Sequence, residues 1–474
     1  MGVRIEALFS RLAVDCAGMS NFRMIDRQTG FLLPPSVDEW LPERHLARFV
    51  VEVIDGLDLR GMTGSYRGSG SASYHPSMLL GLLVYGCATG VFSSRKIERA
   101  TYDSVAFRYI AAGTHPDHDT IAHFRRRFLS EIEGLFVQVL AMASEMKLLK
   151  LGRVCLDGTK IHANASRHSA LSYGHIEKLE AQLKKEVREL LSLGEKADQE
   201  KIPDGMSLPE ELKRREDRLE LMRQAKEKLA VRAHERYVRE QAEYEANMAA
   251  RAAKEQERGK PLCGKKPEEP KEKIRAKDQI NLTDEQSRIM PVSGGGFEQC
   301  YNAQASVDAD TMLVVCTGVT QAVNDKQQVE PMLETLAAQS ITGNNVTCLI
   351  ADAGYFSAQN VASCVEKKIE PLIAGAREHH HLSWSERHSE PAPLPVEVTP
   401  VQAMAHRLRT KEGRAIYALR KQTVEPVFGI IKSVMGFRQF SLRGLQKVTG
   451  EWTLVCLAWN VKRMAVLRPN CAGS

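Results

Sequence analysis

Apolar residues recur every three or four positions through much of the first 130 residues, which is the period of an amphipathic α-helix. Short Gly, Ser and His-Pro segments interrupt the pattern and end each apolar stripe. The pattern therefore predicts an all-helical domain over residues 36–135, preceded by an N-terminal arm of residues 1–35. The predicted helices are Trp40–Ile54, Pro76–Thr89, Lys96–Tyr109 and Thr120–Phe128.

The last predicted helix of this domain has a strongly basic end. Asp119 is a candidate N-cap, and the helix that follows it ends in Arg125, Arg126 and Arg127. A helix-turn-helix DNA reader has this appearance. A surface helix whose arginines complement the negative end of the helix dipole has it too, and both interpretations stay open.

Residues 166–260 are rich in Glu, Lys, Arg, Leu and Ala and carry two apolar stripes at heptad-like spacing. A break around Pro203 and Pro209 separates the stripes, which predicts an antiparallel helical hairpin with a role in structure or self-association. Residues 261–289 are a charged linker whose Lys-, Glu- and Pro-rich part is expected to be flexible. The stripes are Ile176, Leu179, Leu183, Val187 and Leu190, and Leu212, Leu219, Met222 and Leu229.

Apolar and β-branched runs outside this insertion predict strands that alternate with helices over Asp325–Gln339 and Ser357–Lys367. Three strands that form a meander, followed by alternating helices and strands, are the order of an RNase H-like mixed sheet. Residues 150–165 and 290–465 are therefore predicted to form an α/β core of that class. The predicted strands are Arg153–Asp157, Gln299–Val307, Met312–Thr320, Val346–Asp352 and Ile369–Ala374.

Charge is distributed unevenly along the chain. The whole sequence has a net charge of +6, but residues 401–474 contain 13 Lys or Arg and only 3 Glu. A basic segment of this kind is typical of proteins that bind nucleic acid, and a solvated basic surface is the alternative.

The rest of the composition favours a globular protein, with 43% hydrophobic residues. No apolar run approaches the ~20 residues of a membrane span, and the first residues do not resemble a leader, so we expect a cytoplasmic protein without a membrane partner. The ten cysteines lie singly, without a Cys-x-x-Cys pair, and are expected to be buried reduced thiols.

Two aspartates lie at predicted strand ends close to glycine. Phosphodiester cleavage or transfer uses clustered carboxylates that hold two divalent cations about 4 Å apart. Asp157 precedes Gly158, and Asp352 is followed by Ala353 and Gly354. Each aspartate also has a simpler interpretation as a turn or helix-cap residue.

Glu425 lies within the basic C-terminal segment. Lys421, Gly429 and Lys432 share its helical face at steps of three and four residues, and such a face lets a DNA backbone approach closely. Pro426 leaves two interpretations open. It could occupy the first turn of a helix, with Glu425 near the cap, or lie inside a helix that is kinked there.

The order of these motifs resembles that of bacterial insertion-sequence transposases of the Asp-Asp-Glu type, in particular those with a Tyr-Arg-Glu-Lys signature on the last catalytic helix. The resemblance extends from about residue 36 nearly to the C-terminus. Besides the three acidic residues, it rests on blocks that are weak alone and specific together. These are Ser93–Glu98, Pro116–Ile121, Asp157-Gly-Thr-Lys160, Tyr301-Asn-Ala-Gln304 and Arg443-Gly-Leu445.

The resemblance implies cleavage at the terminal inverted repeats of a mobile element, followed by attack of the freed 3′-hydroxyl on target DNA. Both DNAs are double-stranded partners, and a homodimer or larger oligomer is implied because two ends must be joined. Two Mg²⁺ ions, with Mn²⁺ as a substitute, are the implied cofactors. The implied metal ligands are Asp157, Asp352 and Glu425, and the other signature residues, which contact DNA, are Tyr417, Arg420 and Lys432.

The spacing departs from the family pattern at one point. The usual signature has three residues between Arg and Glu, whereas four separate Arg420 from Glu425. Lys421 meets the usual spacing, so either basic residue could take the part of the arginine. Lys421, Arg438 and Arg443 are predicted DNA contacts on charge alone.

Two related functions stay open beside a transposase. One is an RNase H-like DNA nuclease without strand transfer, and the other is a transposase-derived DNA-binding protein that has lost catalysis. Elsewhere, His379–His381 are not expected to bind a metal, because adjacent side chains rarely converge on one ion. Trp452 and Trp459, seven residues apart, are expected in the core.

Overall fold

The computed structural model describes most of the chain after the N-terminal arm. The described residues are 36–66, 73–196, 207–261, 264, 266–292, 294–339, 345–375, 390–391, 393–395 and 398–468. The N-terminal arm of residues 1–35 and the His379–His381 run lie outside them.

The N-terminal part of the described chain is all-helical, as predicted, but two predicted helices are each divided in two. Leu41 is extended because it precedes Pro42, which disfavours the helical conformation of its neighbour. Ser104 is extended and separates the second pair. The N-cap of the basic helix is Asp117 and not Asp119, since its carboxylate accepts from Thr120 N at 2.8 Å. The helices are α1 Val37–Trp40, α2 Leu46–Asp55, α3 Arg60–Thr63, α4 Pro76–Thr89, α5 Ser94–Asp103, α6 Val105–Ile110, α7 His118–Arg127 and α8 Ile132–Glu145.

The remaining elements form a mixed sheet, its covering helices and the insertion. The strands are β1 Arg153–His162, β2 Ala170–Ser172, β3 Gln279–Asn281, β4 Arg288–Pro291, β5 Phe297–Asp308, β6 Val314–Thr320, β7 Cys348–Ala351 and β8 Glu370–Ile373. The helices are α9 Tyr173–Lys196, α10 Leu208–Arg258, α11 Val329–Ala338, α12 Ala358–Glu366, α13 Pro400–Arg409, α14 Lys411–Gly429 and α15 Leu445–Leu467.

The main sheet has the strand order β6-β5-β1-β7-β8, with β4 extending the β6 edge of β5. The pairs β1–β5 and β5–β6 are antiparallel, whereas β1–β7 and β7–β8 are parallel. β1 is therefore the central strand. This is the mixed sheet that the sequence predicts, with a meander on one side and strand-helix units on the other.

Three boundaries differ from the prediction near the centre of the sheet. β1 does not end at Asp157 but continues to His162, because residues 158–162 pair with β5. β6 begins at Val314 rather than Met312. α11 begins at Val329, four residues after Asp325, whose side chain instead binds the amides of β5.

The insertion between β1 and β5 contains two packed helices, α9 and α10. Their contact buries Ile176 against Met222 and Leu229, and Arg215 pairs with Glu186 at 2.8 Å. Lys226 pairs with Glu180, so the contacts run in opposite directions along the two helices, as in an antiparallel hairpin. The charged segment that follows lies along α10, where Arg275 pairs with Glu240 at 3.0 Å and Asp278 with Arg236 at 2.9 Å.

One continuous apolar core joins the N-terminal helices to the sheet. α15 lies at the junction and packs on α4, α8 and β6. Trp452 is fully buried and donates from Nε1 to Gln304 O at 2.9 Å, and buried Trp459 donates to Met312 O at 2.9 Å. Both tryptophans are core residues, as predicted.

The described cysteines are buried free thiols, in agreement with the expectation from their spacing. Burial raises the pKa of the Cys87 thiol to about 12. Within the described ranges, no single helix is long and apolar enough to cross a membrane, although the bent pair α4 and α5 reaches that length and composition jointly. The cysteines are Cys87, Cys155, Cys300, Cys316, Cys348, Cys364 and Cys456.

Candidate active site

The parallel register of β1 and β7 brings two aspartates side by side. Leu156 pairs with Ala351, so the next residues, Asp157 and Asp352, occupy neighbouring positions on adjacent strands. Asp157 lies inside β1, which excludes a hairpin turn at this position, and its carboxylate accepts from Gly158 N at 2.8 Å. Asp352 follows β7 and accepts from Gly354 N at 2.8 Å, so it does cap the short 3₁₀ turn that follows.

Glu425 reaches the same region from α14, which packs on β1, β5 and β7. The helix continues through Pro426 to Gly429 and is followed by a π-helical turn over Ile430–Val434. Glu425 is therefore an interior helical residue and not a cap. Its side chain is 48% exposed, whereas that of Asp157 is 17% exposed. The site has one buried carboxylate and one that is accessible to a ligand.

Arg420 lies between two of the three carboxylates. Its guanidinium is 3.4 Å from Asp157 Oδ2 and 3.0 Å from Glu425 Oε1, and its side chain is only 15% exposed. Burial opposes its charge, but the carboxylates, Asp157 foremost, outweigh burial and raise its pKa. Half-buried Tyr417 is beside Arg420, and Lys421 is exposed on the outer side of the helix. The inward-facing member of the basic pair is thus Arg420.

The surroundings of Asp157 disfavour its negative charge. Burial, followed by the neighbouring charge of Asp352, raises the pKa of Asp157 to about 6, even though Arg420 lowers it. Among the described residues, no three His, Cys, Asp or Glu side chains already converge on one point where an ion would sit. The donor set nevertheless suits Mg²⁺ or Mn²⁺, because carboxylate oxygens are their preferred protein ligands and a cation would relieve the repulsion between the aspartates.

A second polar cluster adjoins the acidic residues through Gly158, and Asp325 is its centre. Asp325 Oδ1 accepts from Asn302 Nδ2 at 2.6 Å and from Gln304 Nε2 at 2.7 Å, and it lies 3.8 Å from Lys160 Nζ. Asp325 lies in the loop before α11 and not in the helix predicted for Asp325–Gln339, and the sequence predicts no role for it. The sequence feature that could have indicated a role for Asp325 is the Tyr301-Asn-Ala-Gln304 block, which supplies both amides.

Three predicted DNA contacts lie along the end of β1: Lys432, which the resemblance implies, and Arg438 and Arg443, which are predicted from charge. Lys432 Nζ donates to Lys160 O at 2.8 Å, and Arg438 Nε donates to Lys432 O at 3.0 Å. Arg443 Nε donates to Asn164 O at 2.9 Å. Arg438 and Arg443 are exposed, so they have donors available on the surface beside the acidic residues.

The basic end of α7 is partly engaged within the protein. Arg125 donates to Phe92 O at 3.3 Å, and Arg127 donates to Ser65 O at 2.7 Å and lies over the rings of Tyr66 and Phe128. Arg126 is exposed. These contacts give α7 a structural role, and a DNA-reading role for it stays a prediction.

A mixed sheet of this order, with acids on the central strand and after its parallel neighbour and a third on a packed helix, defines an RNase H-like enzyme core. Residues 267–461 match the family model of the transposase DDE domain, and residues 35–127 match that of a transposase domain (DUF772). The chain therefore belongs to the insertion-sequence transposases of the Asp-Asp-Glu type, which are DNA-cleaving, metal-dependent enzymes.

The two family matches bear unequally on the three acidic residues. Asp352 and Glu425 lie within the matched residues 267–461, whereas Asp157 and β1 precede them. The case for Asp157 therefore rests on its position beside Asp352. Comparison with curated proteins and with solved structures gave no significant match.

Proposed function

We propose that this transposase binds the terminal inverted repeats of its own insertion sequence and catalyses strand cleavage and strand transfer there, with Asp157, Asp352 and Glu425 as metal ligands. The observation that carries the proposal is the register of β1 and β7, which sets two aspartates side by side within reach of the α14 that bears Glu425. Arg420, which is 3.4 Å from Asp157 Oδ2 and 3.0 Å from Glu425 Oε1, links the third carboxylate to the first.

Two divalent ions, Mg²⁺ or Mn²⁺, would supply an activated attacking oxygen and stabilise the leaving oxygen. The protein's own carboxylates would hold and orient these ions. Asp157 offers a shielded carboxylate, while Asp352 and Glu425 are accessible from solvent. Arg420 neutralises part of this charge and would exchange carboxylate contacts for a DNA phosphate.

The DNA surface proposed for the element end surrounds these residues. Tyr417 and Arg420 lie beside the carboxylates, and Lys432 lies farther along β1, where it donates to Lys160 O. Exposed Lys421, Arg438 and Arg443 would extend the positive surface outward. The lysines and arginines of this surface would contact phosphates rather than bases, because the DNA backbone has to pass them to reach the carboxylates. We further propose a homodimer or larger oligomer on paired ends, and association with the nucleoid while the protein is bound to DNA.

The two candidates for the signature arginine differ in their expected effect on DNA binding. Lys421→Gln removes an exposed cation and is expected to weaken binding to end DNA about 3- to 10-fold, with the slope of log K against log salt reduced by about 0.9. Arg420→Gln is expected to change metal-free binding less than threefold, because its guanidinium already pairs with two carboxylates. Filter binding at several salt concentrations measures both. An equal loss for both variants would mean that Arg420 contacts DNA even before a metal releases it from the carboxylates.

The proposed activity is tested with a labelled DNA that carries the element's end, a second unlabelled target DNA, and Mg²⁺ or Mn²⁺. The native chain is expected to nick at the end and to join the 3′-end to the target. Asp352→Asn and Glu425→Gln are expected to lose both products by at least ~10³-fold, since each removes a proposed metal ligand. Glu330→Gln, at an exposed position of α11, is the matched control and is expected to behave as the native chain.

The other functions give different outcomes in the same assay. Nicking without joined products would favour a nuclease on this fold. Specific end binding without nicking would favour a DNA-binding protein descended from a transposase. Products that persist in both variants would remove Asp352 and Glu425 from the metal site.

A further inference from the structure

A polar cluster on one face of β1 and β5 adjoins the acidic centre, which consists of Asp157, Asp352 and Glu425. The cluster contains none of these three residues. Gly158 pairs with Gln304, and Lys160 pairs with Asn302. These four positions share one face of the sheet, whereas the side chain of Asp157 leaves β1 on the other face. Asp325 joins them from the loop between β6 and α11. The Asp-Gly-Thr-Lys and Tyr-Asn-Ala-Gln motifs therefore meet at one place, and the three proposed metal ligands account for only one residue of them.

Asp325 is held rigidly in this cluster. The amides of Asn302 and Gln304 both donate to its Oδ1, at 2.6 and 2.7 Å. The absence of a side chain at Gly158 makes room for this arrangement, because a Cβ there would lie 2.3 Å from Gln304 Nε2 and 2.7 Å from Asp325 Oδ1. Three residues, Asn302, Gln304 and Gly158, thus fix the Asp325 carboxylate beside β1.

The charge that Asp325 faces is Lys160. Their 3.8 Å separation is an ion pair that is too long for a hydrogen bond, so the ammonium keeps donors for another acceptor. The side chains of Lys160 and Asp325 are only 19% and 23% exposed, so solvent screens the pair less than a surface pair. Lys432, a signature residue, donates to the Lys160 carbonyl and ties the same strand segment to the π-helical turn that follows α14.

We propose that Asp325 is a positioning residue that holds the Lys160 ammonium beside the acidic centre, where Lys160 contacts a phosphate of the bound DNA strand. This inference rests on the proposed function. Lys160 and Asp157 leave β1 on opposite faces. Burial lowers the pKa of Lys160, but the negative charges of Asp157 and Asp352 oppose that shift, so the ammonium is within electrostatic reach of both aspartates. A phosphate of a strand bound at these aspartates is the acceptor that suits the position, since a lysine binds phosphate as a compact charge.

The alternative for Asp325 is a purely structural carboxylate that fastens the loop after β6. The two roles predict opposite signs for Asp325→Asn. Removing a negative charge near DNA should leave binding unchanged or tighten it if Asp325 is structural. It should weaken binding if Asp325 positions Lys160, because the ammonium then loses its orientation.

The test is a double-mutant cycle on binding of end DNA, with Ca²⁺ in place of Mg²⁺ and gels to verify that the DNA stays intact. Lys160→Gln is expected to weaken binding roughly tenfold and to reduce the salt slope by about 0.9, as for one lost phosphate contact. Lys160→Arg, which keeps the charge, is expected to stay within about threefold of native. Asp325→Asn is expected to weaken binding by about the same factor as Lys160→Gln, and the double variant no further. Lys326→Gln, an exposed neighbouring lysine, is the control for loss of charge alone.

Three results would overturn the inference: Asp325→Asn binding as tightly as native, additive losses in the double variant, or a lower Mn²⁺ affinity of Asp325→Asn by calorimetry, which would make Asp325 a metal ligand. Unchanged thermal unfolding midpoints verify that the variants are folded. If the native chain shows no specific end binding, the proposed function fails first. If it binds and Asp325→Asn does not differ, the positioning role alone fails.

Discussion

Asp157→Asn is expected to abolish DNA cleavage, by at least ~10³-fold, and at the same time to stabilise the folded protein. The loss follows because an amide replaces the shielded carboxylate of the proposed metal site. The gain follows because burial and Asp352 disfavour the Asp157 charge in the folded state and raise its pKa to about 6. At pH 7.5 the native carboxylate is charged, and its raised pKa is already net of the Arg420 contact, so its removal is expected to raise the free energy of unfolding by roughly 1–3 kcal/mol.

Urea denaturation without divalent ions measures the stability change, and cleavage of end DNA measures the activity. Opposite changes in the two quantities exclude misfolding as the cause of inactivity. Glu330→Gln removes an exposed carboxylate and is expected to alter neither. An Asp157→Asn variant that is less stable than native would mean that the Arg420 contact outweighs the burial of the charge.

Gly158→Ala is expected to destabilise the protein by about 1–3 kcal/mol and to lower cleavage at least ~10-fold. The new methyl group would overlap Gln304 Nε2 at 2.3 Å, Asp325 Oδ1 at 2.7 Å and Asn302 Oδ1 at 2.9 Å. These atoms belong to short side chains that hydrogen bonds hold on the sheet, so the strand itself has to shift. Because Asp157 is the preceding residue, a shift of the strand moves its carboxylate.

The matched control for this substitution is Gly134→Ala in α8, where a Cβ meets no atom within 4 Å. Alanine favours a helix over glycine, so this variant is expected to gain about 0.5–1 kcal/mol. Thermal denaturation of both variants and cleavage by Gly158→Ala measure the effects. Native stability and activity in Gly158→Ala would contradict the close packing of the polar cluster against β1.

The order of the sheet could be predicted because each strand is a compact apolar run and each connection has few alternatives. The breaks in the two divided helices were missed because one apolar stripe spans each of them, although Pro42 is a sequence signal for the first break. The breaks are decided locally by Pro42, which makes Leu41 extended, and by the extended Ser104. Helical periodicity also extended α11 back to Asp325, whereas in the fold two amides of β5, more than twenty residues away in sequence, bind that side chain.

Part of the candidate site could also be predicted from the sequence. Asp157 and Asp352 are each followed closely by glycine near a strand end, so a parallel pairing of their strands brings them together. The inward orientation of Arg420 could not be predicted from the sequence. It depends on the angle at which α14 crosses β1, and the helical period does not determine that angle. The same is true of Lys160, whose partner Asp325 comes from a loop.

The central claim is that Asp352 binds a catalytic divalent ion, and metal-specificity rescue of Asp352→Cys tests it most directly. Mg²⁺ requires oxygen ligands, whereas the softer Mn²⁺ accepts a thiolate. Asp352→Cys is expected to be inactive on end DNA with Mg²⁺ and to regain cleavage with Mn²⁺, while Asp352→Ala stays inactive with both. Cleavage by Asp352→Cys at native rate in Mg²⁺, or no recovery in Mn²⁺ beyond that of Asp352→Ala, would contradict a metal ligand at this position.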